Sequence, residues 1–222
     1  MASVLRFKGQ FDLAQDRLAR SVEVRDAIGD QVGLVQSLFL LSEIHALMGD
    51  WQSAVDATDR ALMISEEIQH ADYILQGKIR RQLNRLSSGY KVDVEDLDSL
   101  KPESKKQTEN MVLWYTLVCR NAQISGGELS RDLEEGMLQF AELLFTMMTT
   151  HMLCLLTASV ASHATDRNSI VDLLERVIAY PQIPPGAPLD MVLSARALLE
   201  SPDSPERDEW EARAMAAVAR ST

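Results

Sequence analysis

Apolar residues return along most of the chain at the spacing of α-helices. Within residues 32–47, Leu34, Leu38 and Leu41 recur every three or four positions, which places them on one helix face. No segment shows the apolar and polar alternation of a half-buried strand. The pattern therefore predicts an all-α fold. The predicted helices span residues 10–28, 32–47, 51–69, 72–87, 105–122, 128–148, 149–164, 168–180, 188–200 and 205–220.

The boundaries between the first helices carry a stop-and-start signal. Gly49 follows the helix at 32–47, and Asp50 stands directly before the helix at 51–69. Glycine ends helices because it adopts the left-handed conformation, while aspartate caps the N–H groups that open the next helix. Gly29 and Asp30 repeat this pair one helix earlier. The signal predicts antiparallel helical hairpins.

The same region contains an internal repeat. A shift of 40 residues superposes similar residues at fixed offsets, and a period of this length indicates stacked hairpins. Ala54 and Ala61 are small where two helix axes approach to about 8–10 Å. The superposed pairs are Gly9 with Gly49, Phe11 with Trp51, Ala14 with Ala54, Asp16 with Asp56, Arg20 with Arg60, Val24 with Ile64 and Ile28 with Ile68.

The repeat resembles the tetratricopeptide repeat in its 40-residue form. The resemblance covers residues 1 to about 87, and Ser42 and His45 depart from it where the family prefers Gly and Tyr. It implies an α-solenoid of helical hairpins that binds other proteins. In that family the first helices of successive repeats line a groove that holds a peptide or helix. The residues that carry the resemblance are Leu41, Gly49, Trp51, Ala54 and Ala61, and the groove positions that it implies are Gln36, Phe39 and Glu43.

The helix at 72–87 combines an apolar stripe with a basic face. Lys78, Arg81 and Arg85 share one sector of it, and Arg80 adds a fourth positive charge. In the repeat frame Arg81 stands where Leu41 packs inward, so this helix either rotates or caps the array. The basic face is either a solvated helix surface or a stripe that binds the carboxylates or phosphates of an acidic partner.

The organisation changes after this helix. Residues 88–104 are polar and acidic, and we expect a connector there. We predict tetratricopeptide-like hairpins over residues 1–87 and a helical bundle over residues 105–222. The apolar side of the helix at 10–28 lacks a full covering helix before it, which predicts self-association through the N-terminal hairpin or a place within a longer array. That side consists of Phe11, Leu18, Val22 and Ile28.

Charge and cysteine usage narrow the classes of partner and compartment. The 222 residues include 22 basic and 33 acidic ones, and the net charge of −11 disfavours binding to nucleic acid. Cys119 and Cys154 lie in apolar helical runs, which indicates a reducing compartment. The first residues show no long apolar run before their charges, so we expect no signal peptide and a cytoplasmic protein.

One uncharged stretch is long enough for a membrane helix. Residues 143–165 contain no Asp, Glu, Lys or Arg, and about 20 apolar residues span a bilayer. Threonine, serine and histidine interrupt the stretch, and no Lys/Arg cluster or aromatic belt flanks it. We favour a helix or helix pair buried in the bundle over a membrane segment.

Catalytic and metal-binding patterns are absent from the sequence. His151 and Cys154 have the spacing of two zinc ligands, but a structural site needs four and no second pair has metal spacing. Phosphate-binding glycine loops and zinc-protease motifs are missing. We therefore expect no enzymatic activity, no cofactor and no metal.

The hypothesis that follows is a scaffold or regulatory adaptor. It would bind a peptide or helix with acidic and apolar side chains. Two alternatives stay open: a sensor module that binds a small ligand or signalling peptide, and a helical enzyme or membrane-attached protein. The predicted contact residues are Gln36, Phe39, Glu43, Lys78, Arg81 and Arg85.

Overall fold

The computed structural model describes residues 5, 10–87, 94–104, 107–127, 129–146, 154, 156–158, 161, 167–179, 187–200 and 203–219. These residues form helices joined by turns, without a strand among them, so the predicted all-α fold of consecutive hairpins is confirmed. The segment predicted as a helix at 149–164 lies largely outside the described residues. The helices are α1 (Phe11–Ile28), α2 (Gln31–Leu47), α3 (Trp51–Glu67), α4 (Ala71–Ser87), α5 (Val94–Ser99), α6 (Thr108–Ser125), α7 (Arg131–Thr146), α8 (Arg167–Ile178), α9 (Ala187–Leu198) and α10 (Pro205–Ala219).

The described residues from Gln10 to Leu117 belong to one compact unit. Its first four helices pack in chain order, α1 on α2, α2 on α3 and α3 on α4. Ala54 and Ala61 are fully buried, as expected for positions where helix axes come close. The other buried apolar residues of these four helices are Ala14, Leu18, Val22, Leu34, Val35, Leu38, Phe39, Ile44, Ala57, Leu62, Ile64, Ile79 and Leu86.

The turns between these helices share one geometry at 20-residue intervals. Gly29 and Gly49 adopt left-handed φ angles of 73° and 79°, and Gln69 adopts 54° at the next interval. The residue after each of them caps the following helix. The side chain of Asp30 accepts from the N–H of Gly33 at 2.9 Å, that of Asp50 from Ser53 at 3.1 Å, and Nδ1 of His70 from Tyr73 at 3.4 Å.

A buried polar cluster joins α2, α3 and α4. The amide nitrogen of Asn84 lies 3.2 Å from Oγ of Ser42, 3.1 Å from Oγ1 of Thr58 and 3.2 Å from the carbonyl oxygen of Ala54. The two hydroxyl oxygens are 2.7 Å apart and lie 2.8 and 2.9 Å from the same carbonyl oxygen. Each buried polar atom thus has a partner on a neighbouring helix, which fixes how the three helices pack.

The expected connector at 88–104 contains a short helix in its second part. Leu97 and Leu100 of this region are buried, and the carbonyl oxygen of Leu97 accepts from Nε1 of Trp114 at 2.8 Å. Because acidic residues dominate this segment, its sequence indicates a polar connector although Leu97 and Leu100 are buried. Helix α5 and the first part of α6 belong to the same compact unit as the repeats. The three-part division of the chain stays a prediction.

The expectation that the apolar side of α1 lacks cover is wrong for two of its four residues. Leu18 and Val22 are buried because α2 packs along them, and Leu5 joins Leu18 in one apolar cluster. Phe11 is half-buried, while Ile28, at the end of α1, is 71% exposed. Of the side chains expected to mediate self-association, Ile28 is thus the exposed one.

The described residues from Val118 onward belong to the second compact unit. The guanidinium of Arg176 on α8 binds both carboxylate oxygens of Glu142 on α7, at 2.6 and 2.9 Å. Leu193 on α9 and Ala214 on α10 centre a cluster against which Trp210 packs. The helical content agrees with the bundle expected here.

The uncharged stretch at 143–165 is described only in part. Leu144, Cys154, Leu156 and Ala161 are buried, as a core segment requires. Within the residues that the structure describes, no helix combines the length and apolar character needed to cross a membrane.

The left-handed turn at Gln69 leads to a first prediction. For a residue with a Cβ atom, the left-handed conformation raises the free energy of the folded state by about 1–2 kcal/mol. Glycine avoids this strain, but the greater entropy of its unfolded chain lowers the free energy of unfolding by about 0.4–1 kcal/mol. We expect Gln69→Gly to raise the free energy of unfolding by about 0.5–1 kcal/mol in urea titrations. The control Gln52→Gly, within α3, should instead lower it by about 1 kcal/mol. A destabilised Gln69→Gly variant would contradict the left-handed turn.

The buried cluster leads to a second prediction. Asn84→Ala removes the donors that satisfy Ser42 and Thr58 and leaves a cavity, so the free energy of unfolding should fall by about 1–3 kcal/mol. The control Gln82→Ala, on the same helix but partly exposed, should change it by no more than about 0.5 kcal/mol. Equal effects in urea denaturation would contradict the role given to the cluster.

Candidate protein-binding surface

The three groove positions implied by the resemblance lie on α2 and face α4. The amide nitrogen of Gln36 donates to the hydroxyl of Tyr73 at 2.7 Å. The ring of Phe39 meets the ring of Tyr73 edge to face, with centroids 6.2 Å apart. Tyr73 is itself stacked on the imidazole of His70 at 4.0 Å, at the beginning of α4. Gln36 and Phe39 therefore share a surface with the next repeat.

Arg80, about two turns after Tyr73 on α4, completes this surface. Its guanidinium carbon lies 5.5 Å from the ring centroid of Phe39, within the range of a cation–π contact. Its terminal nitrogens lie 3.8 Å from a carboxylate oxygen of Glu43 and 3.0 Å from one of Glu109. The side chain is only 12% exposed, so these charges interact more strongly than on an open surface. Arg80 thus connects α2, α4 and α6.

We call Gln36, Phe39, Glu43, Tyr73 and Arg80 the groove surface. Its accessible groups are the amide of Gln36, the half-buried ring and hydroxyl of Tyr73 and the partly exposed charged groups of Glu43 and Arg80, while Phe39 is buried. The Tyr73 ring can contact apolar side chains, and the polar groups can pair with the main chain of a bound segment. The arrangement can therefore hold a polypeptide segment.

The basic side chains of α4 lie on a different side of that helix. At 3.6 residues per turn, Lys78, Arg81 and Arg85 stand about 100–160° around the axis from Arg80. Nε of Arg81 pairs with Oδ1 of Asp59 on α3 at 3.1 Å. We call Lys78, Arg81 and Arg85 the basic face. The six predicted contact residues therefore form two surfaces rather than one.

Lys78 and Arg81 also line a shallow hollow against α5. Its other lining residues are Gln82, Asp96, Ser99 and Leu100. Leu41 packs against the apolar core of the first hairpins, as the repeat frame expects. Arg81, at the corresponding position of α4, is instead about half exposed, and the expected rotation or capping role of α4 stays a prediction.

Tyr73 and Arg80 were not among the predicted contact residues, although the repeat contains a signal for them. The 40-residue shift carries Gln36 onto Gln76, which is buried on α4 and donates to Glu109. Arg80 lies four positions after Gln76, on the same side of the helix. Applying the repeat to the groove positions, rather than searching for clustered charge, identifies that side.

The cysteines are poorly suited to nucleophilic chemistry. Burial raises the pKa of the Cys119 thiol and of the Cys154 thiol to about 12, so both stay protonated at neutral pH. Sγ of Cys119 lies 3.7 Å from Sδ of Met137 in an apolar interior. Among the described residues, no three His, Cys, Asp or Glu side chains are grouped to hold a metal. His151, one of the two zinc ligands considered, lies outside those residues.

Comparison with known proteins identifies the first part of the chain. Residues 1–67 match the family model described as tetratricopeptide repeat, so this N-terminal segment is a tetratricopeptide repeat segment. The match includes α1, α2 and α3. Tetratricopeptide repeats generally mediate protein–protein interaction. No curated protein and no solved structure matches the chain.

The Arg80 contacts lead to a third prediction. Arg80→Met keeps the apolar stem but leaves Glu43 and Glu109 without their shared cation, so the free energy of unfolding should fall by about 1–2 kcal/mol. The neighbouring variant Arg81→Met removes a half-exposed pair and should cost at most about 0.5 kcal/mol. Urea denaturation of both variants measures the difference. A larger loss for Arg81→Met than for Arg80→Met would contradict the assignment.

Proposed function

We propose that this protein is a non-catalytic interaction module that serves as a scaffold or regulatory adaptor. Its groove surface binds a peptide or helix of another protein. The observation that carries the proposal is the alignment of Gln36 and Phe39 on α2 with Tyr73 and Arg80 on α4. These side chains come from successive hairpins of a segment whose first part belongs to a family of protein-binding repeats.

The groove surface is prepared for a partner by the contacts already described. Phe39 is 3% exposed and is held by Tyr73 and Arg80, so its position does not depend on a bound segment. Gln36 is exposed and Tyr73 is half-buried, which leaves an amide and a phenol within reach of a partner. A preformed surface of this kind loses little conformational entropy when it binds.

The basic face favours a partner that carries acidic residues. Lys78, Arg81 and Arg85 are exposed on a chain whose net charge is −11, so they form a local reversal of charge. Carboxylates of a partner would gain charge-assisted hydrogen bonds there, while the remaining surface would weaken long-range attraction. We propose that the apolar part of the partner occupies the groove surface and that an acidic part contacts the basic face.

Two further proposals rest on other observations, and one alternative stays open. The protein acts in the cytoplasm, as its cysteine usage suggests. Its first hairpin supports self-association, for which the exposed side chains of Leu13, Val24 and Ile28 on α1 are the apolar contacts. The alternative of a sensor module for a small ligand would be favoured by a melting shift in a metabolite screen.

A fourth prediction separates the two surfaces. Affinity capture with the wild-type chain, read by mass spectrometry, should identify a protein partner, and isothermal titration should then measure its Kd. The groove variant Gln36→Lys/Tyr73→Ala should weaken binding by at least about tenfold, since it removes a ring and two hydrogen-bonding groups. The basic-face variant Arg81→Glu/Arg85→Glu should weaken it as well and reduce its dependence on salt.

The matched control is Arg17→Glu/Arg20→Glu. It makes the same change of charge on exposed positions of α1 and should leave the Kd within about threefold of wild type. Circular dichroism melts verify that every variant folds. A groove variant that binds with wild-type affinity would overturn the proposed groove. An unchanged Kd for the basic-face variant would leave that face a solvated surface.

A further inference from the structure

The last hairpin of the second unit carries an open groove between α9 and α10. Leu198 on α9 is 62% exposed and Met215 on α10 is 69% exposed, which is high for large apolar side chains. Both lie along the same groove. Its lining includes Leu198, Met215, Ala214, Ser194, Asp190 and Glu211.

Side-chain contacts hold α9 and α10 together, so the geometry of the groove does not depend on a bound partner. Trp210 packs against Leu193 and Ala214. The guanidinium carbons of Arg196 and Arg213 lie 5.1 and 4.1 Å from the centroid of the Trp210 ring. Arg196 also pairs with Glu175 on α8 at 3.4 Å, which connects α9 to the preceding helix.

The charged groups that line the groove have one sign. Asp190 lies on α9 and Glu211 on α10, so a carboxylate stands on each side of the apolar residues. Burial raises the pKa of Asp190 because its carboxylate is partly withdrawn from water, while the hydrogen bond that Ser194 Oγ donates at 3.5 Å acts in the opposite direction. Glu211 is half-exposed and pairs with Arg207 one turn earlier on α10. A cation placed beside Asp190 would restore the solvation that its carboxylate has lost.

The first unit shows which element fits the open side of such a hairpin. Helix α4 packs against α3 so closely that a Cβ atom on Gly77 would lie 3.2 Å from Cβ of Leu62. A helix therefore covers a hairpin of this chain with small and apolar residues in contact. Helix α9 has 12 residues, about 18 Å, which accommodates about three turns of a second helix.

We propose that the groove between α9 and α10 binds an amphipathic helix of another protein, with apolar side chains against Leu198 and Met215 and Lys or Arg beside Asp190 and Glu211. The argument is charge complementarity. A second copy of this chain would bring an acidic surface against an acidic groove, at a net charge of −11 for each copy. The proposal is independent of the groove surface on α2 and α4, whose contacts lie in the other unit.

The probe is a fluorescein-labelled helical peptide of 15 residues with a Leu/Ala stripe flanked by four Lys. A second peptide carries Glu at those four positions. Fluorescence anisotropy with the full chain measures both Kd values. We expect the Lys peptide to bind saturably and at least about tenfold more tightly than the Glu peptide, with the advantage falling as salt rises.

Two double variants of the full chain test the groove itself. Leu198→Asn/Met215→Asn should weaken the Lys peptide at least about tenfold, since it removes the apolar contact without adding charge. Asp190→Asn/Glu211→Gln, which keeps the side-chain shapes, should bring the preference for Lys over Glu below about threefold. The control Leu47→Asn/Met63→Asn changes exposed apolar residues of the first unit and should leave both Kd values unchanged.

Three outcomes would overturn the proposal. They are equal affinity for the two peptides, unchanged binding by the Leu198→Asn/Met215→Asn variant, and no saturable binding of the Lys peptide to the wild-type chain. Sedimentation of the unlabelled protein distinguishes the remaining occupant. A wild-type dimer that becomes monomeric in the Leu198→Asn/Met215→Asn variant would assign the groove to a second copy of the chain instead.

Discussion

The amide of Asn84 is the contact on which the arrangement of the first unit depends. It donates toward oxygens of Ser42, Thr58 and Ala54, so one side chain ties α4 to both helices of the preceding hairpin. In a dry interior an unsatisfied hydroxyl or carbonyl is costly, and only one register of α4 satisfies all of them. That register places Arg80, one turn earlier, against Phe39 and Glu43. The groove surface is thus a consequence of the buried cluster.

The same register explains why the positive charges of α4 serve different purposes. Arg80 points toward α2 and lies near two carboxylates and a ring, and these contacts offset part of the cost of removing its charge from water. Arg81, the next residue, points away and pairs with Asp59 while half exposed. Adjacent residues on a helix are about 100° apart around its axis. Basic residues that are neighbours in the sequence of α4 therefore lie on two different sides of the helix.

The helices and their turns could be predicted because their causes are local. Gly29, Gly49 and the caps at Asp30 and Asp50 act within a few residues, and the small side chain of Ala54 reports a close approach by itself. The positions of Gln36, Phe39 and Glu43 followed from the resemblance to the repeat. Their partners on α4 were missed because clustered charge was followed rather than the 40-residue shift that carries Gln36 onto Gln76. Helix α5 was missed for a different reason: its burial rests on Leu97 and Leu100, whose contact with Trp114 is a tertiary one.

The α2–α3 and α9–α10 hairpins differ in the polar groups that they present to a covering helix. The α2–α3 hairpin presents the neutral hydroxyls of Ser42 and Thr58, which a neutral amide satisfies, so α4 can bury them at little electrostatic cost. The α9–α10 hairpin presents the carboxylates of Asp190 and Glu211 beside Leu198 and Met215. A carboxylate can be covered by an apolar helix only if a cation accompanies that helix, because an isolated buried charge is too costly. The α2–α3 hairpin is thus closed by an amide that satisfies its buried hydroxyls, and the helix that we propose for the α9–α10 hairpin would have to bring a cation to its carboxylates.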